Sequence, residues 1–236
     1  DRAAEGVPSV FFTSWRGPVV VLGYAQQPDD VDLEFCAGRD IPVLRRLTGG
    51  TGVVHQMDLG LSLALPADHP WARGVIGLYD RFLGVLGPAL RRFQPDIQRK
   101  HDPPRASRVR SPICFFDQLS DTLLVDGRKA VGCAQTRRRG AVLIHAAILL
   151  GTDADLIARV FRTAVDEVDA GLTAAIPGGD WRGLGRTIAG DLADALGRSA
   201  RDIPEPELAR RHLEPYAEER WAPLGCDLVK RLLAKK

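Results

Sequence analysis

The stretch Asp121–Leu150, DTLLVDGRKAVGCAQTRRRGAVLIHAAILL, constrains the fold more than any other part of the chain. It divides into three short extended runs. Thr122–Val125 is apolar, and Asp126-Gly127 follows as a two-residue hairpin signal, because both residue types tolerate positive φ. Lys129–Thr136 runs back and carries the small residues Ala130, Gly132, Cys133 and Ala134. Small side chains in a strand leave room for something to approach the backbone. Arg138-Arg139-Gly140 turns the chain again, and Ala141–Leu150 is apolar enough for a buried strand. Lysine is scarce: of 32 basic residues only Lys100, Lys129, Lys230, Lys235 and Lys236 are lysines. Where arginine is the default cation, an internal Lys129 points to a need for a compact point charge, the alternative being a solvated hairpin lysine.

Further strands are expected at Val10–Phe12, Val19–Leu22, Ile41–Leu47 and Val53–His55. Leu59, Leu61, Leu63 and Leu65 alternate with smaller residues, the two-residue period of a half-buried strand. Helices are expected from Pro28 through Cys36, over Trp71–Phe93 and, beyond Thr152, over Asp153–Ala170, Trp181–Leu196 and Glu205–Leu233. Between these lies RRLTGGTGVVH, Arg45–His55, with Gly49, Gly50 and Gly52 forming a tight loop. Two arginines beside a glycine loop suit an anionic ligand. The loop is neither a P-loop, since no Gly-Lys-Ser/Thr follows, nor a dinucleotide fingerprint, since the glycine spacing differs. His55, taken alone, reads as structural rather than catalytic.

Composition narrows the function classes. At 236 residues with 45% hydrophobic and 26% charged residues, the chain can bury a full core. A net charge of +2 gives no overall pull toward nucleic acid. No apolar run reaches the roughly 20 residues of a membrane helix. The cysteines Cys36, Cys114, Cys133 and Cys226 have no paired metal-ligand spacing, and free thiols fit a reducing, cytoplasmic setting. Asp1 is not an initiator methionine, so the natural start and any targeting segment stay open. Arg91–Arg110 is locally basic and reads either as a solvated loop or as a landing patch for an acidic partner. Cys114, between that segment and Phe115-Phe116, is a candidate nucleophile, because a neighbouring cation raises the thiolate fraction.

RRLTGG followed by VVH, then Cys-Phe, then VDGRKAVGCAQTR and VLIHAAIL, resembles the lipoate/octanoate attachment family, relatives of the biotin protein ligase catalytic domain. The likeness covers about two thirds of the chain and is closest to the cysteine-dependent octanoyltransferases. It implies an α+β fold: a mixed, largely antiparallel sheet with flanking helices and a helical C-terminal tail. It also implies a single catalytic domain, sheet-rich over 1–151 and mostly helical over 152–236. Cys114 would take an octanoyl or lipoyl group from acyl carrier protein as a thioester. A lysine of a lipoyl domain or of the glycine cleavage H protein would then displace it. Lys129 would assist the thiolate, and no cofactor or metal would be needed. Arg45, Arg46, Gly49, Gly50 and His55 would shape the pocket entrance. Gly132, Ala134, Gln135, Thr136 and His145 would complete the substrate site, with N–H groups near Gly132–Gln135 as oxyanion donors. Cys133 replaces the family's usual serine, Thr51 stands at the third glycine-loop position, and the Met57-Asp58 neighbourhood replaces the usual acidic residue after the loop histidine. These departures bear on acyl-chain specificity more than on the chemistry. The alternative is an ATP- and Mg-dependent lipoate ligase, or ligase subunit, that holds an acyl-adenylate at Lys129 and needs no Cys114. A non-catalytic scaffold and a biotin ligase are more distant readings.

Overall fold

A computed structural model describes residues 3–100, 111–116, 122–177, 180–199, 218 and 221–224. Among the described residues, nine strands form two sheets. The larger has six strands: β1 (Ser9–Thr13), β5 (Asp58–Pro66), β9 (Ala141–Leu149), β8 (Arg128–Arg138), β7 (Thr122–Val125) and β6 (Gln98–Arg99), adjacent in that order and antiparallel throughout. The smaller sheet places β2 (Val19–Leu22) between β3 (Val43–Arg45), which runs parallel to it, and β4 (Val53–His55), which runs antiparallel. This is the mixed, largely antiparallel α+β architecture expected.

The two-residue period divides the large sheet into two chemically different faces. Leu59, Leu61, Leu63 and Leu65 of β5, with Val142, Ile144 and Ile148 of β9, pack on α2 (Val75–Arg91) and α5 (Trp181–Ala195). Leu78, Phe82, Leu86 and Leu90 of α2 and Leu184, Ile188 and Leu192 of α5 complete that core. Burying each of these large side chains contributes on the order of 2 kcal/mol. Between the leucines, Gly60 and Ser62 face the other way. The register then sets them in two rows across three strands: Ser62–His145–Ala134 and Gly60–Ala147–Gly132. A second core joins the small sheet to α1 (Leu33–Gly38), α3 (Ala154–Phe161) and α4 (Val165–Gly171) through Val20, Leu22, Cys36, Ile157, Phe161 and Val168. Burial and, secondarily, Asp32 push the Cys36 thiol up to about 11, an inert packed sulfur.

Three helical readings change in detail. The helix expected over Trp71–Phe93 is a 3-10 turn, Pro70–Ala72, followed by α2 from Val75 to Arg91. The helix expected from Pro28 is a single 3-10 turn, Pro28–Asp30, after which Asp32 caps α1 by accepting the Phe35 N–H at 2.9 Å. The helix expected over Asp153–Ala170 is two, because Arg162 adopts φ +53° and caps α3. The helix expected over Glu205–Leu233 lies outside the described residues. Among the described residues, no helix is long and apolar enough to cross a membrane.

Candidate active site

A cleft of about 250 Å³ separates the small-residue face of the large sheet from the β2–β4 sheet. Cys114 lines it, together with Arg45, Arg46, His55, Gly132, Ala134 and His145. Cys114 lies on a short segment laid along the glycine loop: the Cys114 N–H donates to the Gly52 carbonyl and the Gly52 N–H to the Pro112 carbonyl, each at 2.8 Å. Glycine is required where loop and strand meet. A Cβ on Gly23 would sit 1.8 Å from the Gly50 carbonyl oxygen, and Gly50 itself has φ +89°. A Cβ on Gly50 would lie 3.6 Å from the Cys114 sulfur and 2.8 Å from Nη2 of Arg46.

Arg46 is the cation at that sulfur. Its Nη2 is 4.0 Å from Cys114 Sγ and also donates to the Gly49 and Thr51 carbonyls at 2.9 Å. Its Nε donates to Thr48 Oγ1 at 2.9 Å. Burial pulls Arg46 down from the ordinary arginine range and Cys114 pulls it back up; a guanidinium this basic stays charged. The adjacent Arg45 does different work. Its Nη1 donates to the carbonyls of Gly23, Tyr24 and Gln26 at 2.9, 3.2 and 2.5 Å, which fixes the turn after β2.

Lys129 is not a solvated hairpin lysine. It is 3% exposed, its Nζ donates to the main-chain carbonyl of Cys114 at 3.0 Å, and it stands 5.3 Å from the centre of the Phe115 ring. A strict two-residue period would put Lys129 on the helix-facing side with Val131. Leu124 pairs with Lys129 but Leu123 pairs with Val131, so Ala130 is the extra residue of a β-bulge. The bulge turns Lys129 onto the face of Gly132, whose Cβ position is 3.0 Å from the lysine Cε. Gly132 thus makes room for the lysine stem.

His145 and His55 occupy different environments. Nε2 of His145 is 2.8 Å from Thr48 Oγ1, so Arg46, Thr48 and His145 form one hydrogen-bonded chain behind the sulfur. Burial, then Arg46, then His55 push His145 down to about 3, leaving it neutral at physiological pH. Free histidine titrates near 6.5, so between about 6.5 and about 3 the unfolded chain binds the proton and the folded chain does not. His145 therefore removes stability as pH falls through that window, by up to about 1.4 kcal/mol per pH unit. Urea unfolding of wild type and His145→Gln between about pH 7 and pH 5 checks this. The variant is expected to lose less stability than wild type, and equal losses would contradict the assignment.

Four features of the site are not evident in the sequence. Trp15, from the β1–β2 connection, stacks on His55 with centroids 4.5 Å apart. Asp58 pairs with His55, and Thr48 links Arg46 to His145. Gly60 and Ser62 form part of the cleft floor. The advance signals are the small-residue alternation within β5 and the Met57-Asp58 neighbourhood after the loop histidine. Two expected site residues lie elsewhere. Gln135 faces α2 and donates from Nε2 to the Val75 carbonyl at 2.9 Å, because a residue next to Ala134 must point to the opposite face. Thr136 shares the face of Ala134 but is not among the residues lining the cleft. Gly49 meets the site through its carbonyl, at Arg46. In the basic stretch Arg91–Arg110, Arg92 pairs with Asp191, Arg99 with Asp80 at 2.5 Å, and Arg91 donates to the Ile97 carbonyl. Residues 101–110 lie outside the described residues. No cluster of metal-ligating side chains occurs among the described residues.

The sequence profile of the Lipoyl protein ligase A/B catalytic domain matches residues 1–177, and the chain belongs to that family. It is 29% identical over 172 residues to "Octanoyltransferase LipM" of Clostridioides difficile, covering 71% of this chain and 63% of that protein. It is 31% identical over 176 residues to the protein of the same name in Moorella thermoacetica, covering 73% and 64%. The chain thus spans a little under two thirds of the length of these curated relatives. A T. acidophilum protein solved with bound lipoic acid has the same fold, with a TM-score of 0.74 at 22% identity over 91% of this chain and 84% of that one. Lipoate-protein ligase A bound with ATP superposes with a TM-score of 0.69 at 20% identity, covering 97% and 82%.

Proposed function

We propose that the chain is an acyltransferase of protein lipoylation. It moves an octanoyl or lipoyl group from acyl carrier protein to a lysine of a lipoyl domain or glycine cleavage H protein, through a thioester on Cys114. The observation that carries this reading is the thiol in the cleft with a fixed guanidinium at its sulfur. A ligase that works through an acyl-adenylate has no use for that pair. The octanoyltransferase relatives at about 30% identity support the same choice.

In the first step the Cys114 thiolate attacks the donor's thioester carbonyl, the C–S bond to the carrier breaks, and the carrier's sulfur leaves as a thiolate that takes a proton from water. Arg46 Nη2, 4.0 Å from the sulfur, places a positive charge beside the attacking thiolate. Lys129, bonded to the Cys114 carbonyl, fixes the main chain from which the sulfur projects. Ser62, Ala134, Ala146 and Ala147 line the cleft with small side chains, which leaves space for an unbranched acyl chain, apolar surface of the kind such clefts retain. In the second step an acceptor lysine attacks the acyl-cysteine and forms the amide, releasing Cys114.

Incubation with octanoyl-carrier protein and a lipoyl domain, without nucleotide or metal, tests the reaction class. Octanoylated lipoyl domain is the expected product. Product that forms only from free octanoate with ATP and Mg would establish the ligase alternative.

A further inference from the structure

Two imidazoles reach the cleft, and only one of them is arranged to carry a proton. His145 hydrogen-bonds Thr48 and is held neutral by burial and by the neighbouring Arg46. His55 is held on two sides. Its Nδ1 lies 2.8 Å from Oδ2 of Asp58, a carboxylate whose side chain is 1% exposed. The other Asp58 oxygen accepts the Gln56 N–H at 3.1 Å, so the carboxylate itself cannot turn. Trp15 covers the ring face at an interplanar angle of 22°. A carboxylate at Nδ1 keeps the proton on that nitrogen and leaves the Nε2 lone pair for another partner. His55 shares its strand face with Val53, and both line the cleft that contains Cys114. The other charged and titratable groups lining the cleft are Arg45, at the end of β3, Arg46 just after it, Cys114, Cys133 of β8 and His145 of β9.

We propose that His55, oriented by Asp58, is the general base of the second half-reaction, taking the proton that the acceptor amine must lose as it attacks. The assignment rests on the acyl-cysteine reading above. The acceptor lysine first gives one proton to water and becomes a neutral amine, since its ammonium predominates at neutral pH. As the C–N bond forms at the thioester carbonyl, the nitrogen's extra proton passes to His55 Nε2. Collapse of the tetrahedral adduct breaks the C–S bond, and the imidazolium returns that proton to the departing Cys114 sulfur. The products are an amide and a free thiol, with His55 neutral again. Asp58 stabilises the imidazolium without itself taking the proton, so it is a positioning residue.

Splitting the two half-reactions tests the proposal. Wild type, His55→Gln and Asp58→Asn are loaded with octanoyl-carrier protein, and the acyl-enzymes are isolated and discharged with either a lipoyl domain or hydroxylamine. Hydroxylamine is already neutral at pH 7 and attacks thioesters without help from a base. Discharge is followed from acyl-enzyme already isolated, so the comparison does not depend on the rate of loading. Discharge to the lipoyl domain is expected to slow by about 10²–10⁴-fold in His55→Gln, the range of general-base catalysis. Discharge by hydroxylamine is expected to stay at the wild-type rate. Asp58→Asn keeps the shape of the pair but misplaces the imidazole proton, and is expected to show the same selective loss. Equal slowing with both nucleophiles would mean that His55 only shapes the cleft, and an unimpaired lipoyl-domain discharge in either variant would overturn the assignment. Failure of wild type to acylate at all would instead sink the acyl-cysteine reading, and this assignment with it.

Discussion

Cys114→Ala is expected to abolish acyl transfer while leaving the melting temperature near that of wild type. Removing a covalent nucleophile removes the two-step path itself, and the surviving cleft and Arg46 offer only binding and charge stabilisation. In enzymes that depend on such a nucleophile, the loss is about 10⁴-fold or more. The fold should tolerate the change because Cys114 is half-buried at a cleft wall, and the backbone N–H and C=O bonds that tie it to Gly52 and Lys129 are kept by alanine. The measurement is a single-turnover assay with octanoyl-carrier protein and a lipoyl domain, beside a thermal melt. Transfer within tenfold of wild type would remove Cys114 from the mechanism. Cys133→Ala is the control: Cys133 lines the same cleft, but on β8 and largely within the helix-facing core.

Lys129→Met is expected to be the next most damaging substitution, and to damage stability as well as activity. Methionine approximates the stem but leaves the Cys114 carbonyl without its ammonium donor. An unsatisfied group of that kind costs about 1–3 kcal/mol. For a chain of this size, each kcal/mol lowers the melting temperature by about 2–4 °C. Activity should fall further than stability, because the carbonyl that loses its anchor belongs to the residue bearing the sulfur, and small misplacements of a reacting atom are costly. Calorimetry and the same turnover assay check both effects. Wild-type stability and rate together would mean that the Lys129–Cys114 contact has no consequence.

Much of this architecture is legible in the residues. Asp126-Gly127 does form the β7–β8 turn, with φ +51° and +74°. The strands Val19–Leu22, Val53–His55 and Thr122–Val125 fall on the expected residues. The leucine alternation identified β5, and the order of RRLTGG, VVH, Cys-Phe and the lysine hairpin identified the family. What the sequence hid has physical causes. The bulge at Ala130 reverses the face of Lys129, and no local signal in Arg-Lys-Ala-Val marks where the register slips. Arg45 and Arg46 look equivalent as neighbours, yet alternation sends one to the carbonyls of the β2 turn and the other to the sulfur. The same rule removes Gln135 from the cleft that Ala134 lines. The pairing of His55 with Asp58 depends on a turn through Gln56-Met57 that brings i and i+3 together, and Trp15 joins them only through sheet packing. Arg92 and Arg99 pair with Asp191 and Asp80, carboxylates that reading the stretch Arg91–Arg110 by itself does not offer as partners.

The central claim is that the acyl group rests on Cys114 between donor and acceptor. Wild-type protein mixed with octanoyl-carrier protein, quenched in acid before any acceptor is added, should show by intact-protein mass spectrometry a single added octanoyl group. Peptide mapping should locate it on Cys114, and addition of a lipoyl domain should discharge it. An adduct on Cys133, an adduct that the acceptor cannot discharge, or product formation with no acyl-enzyme at any time would contradict the account.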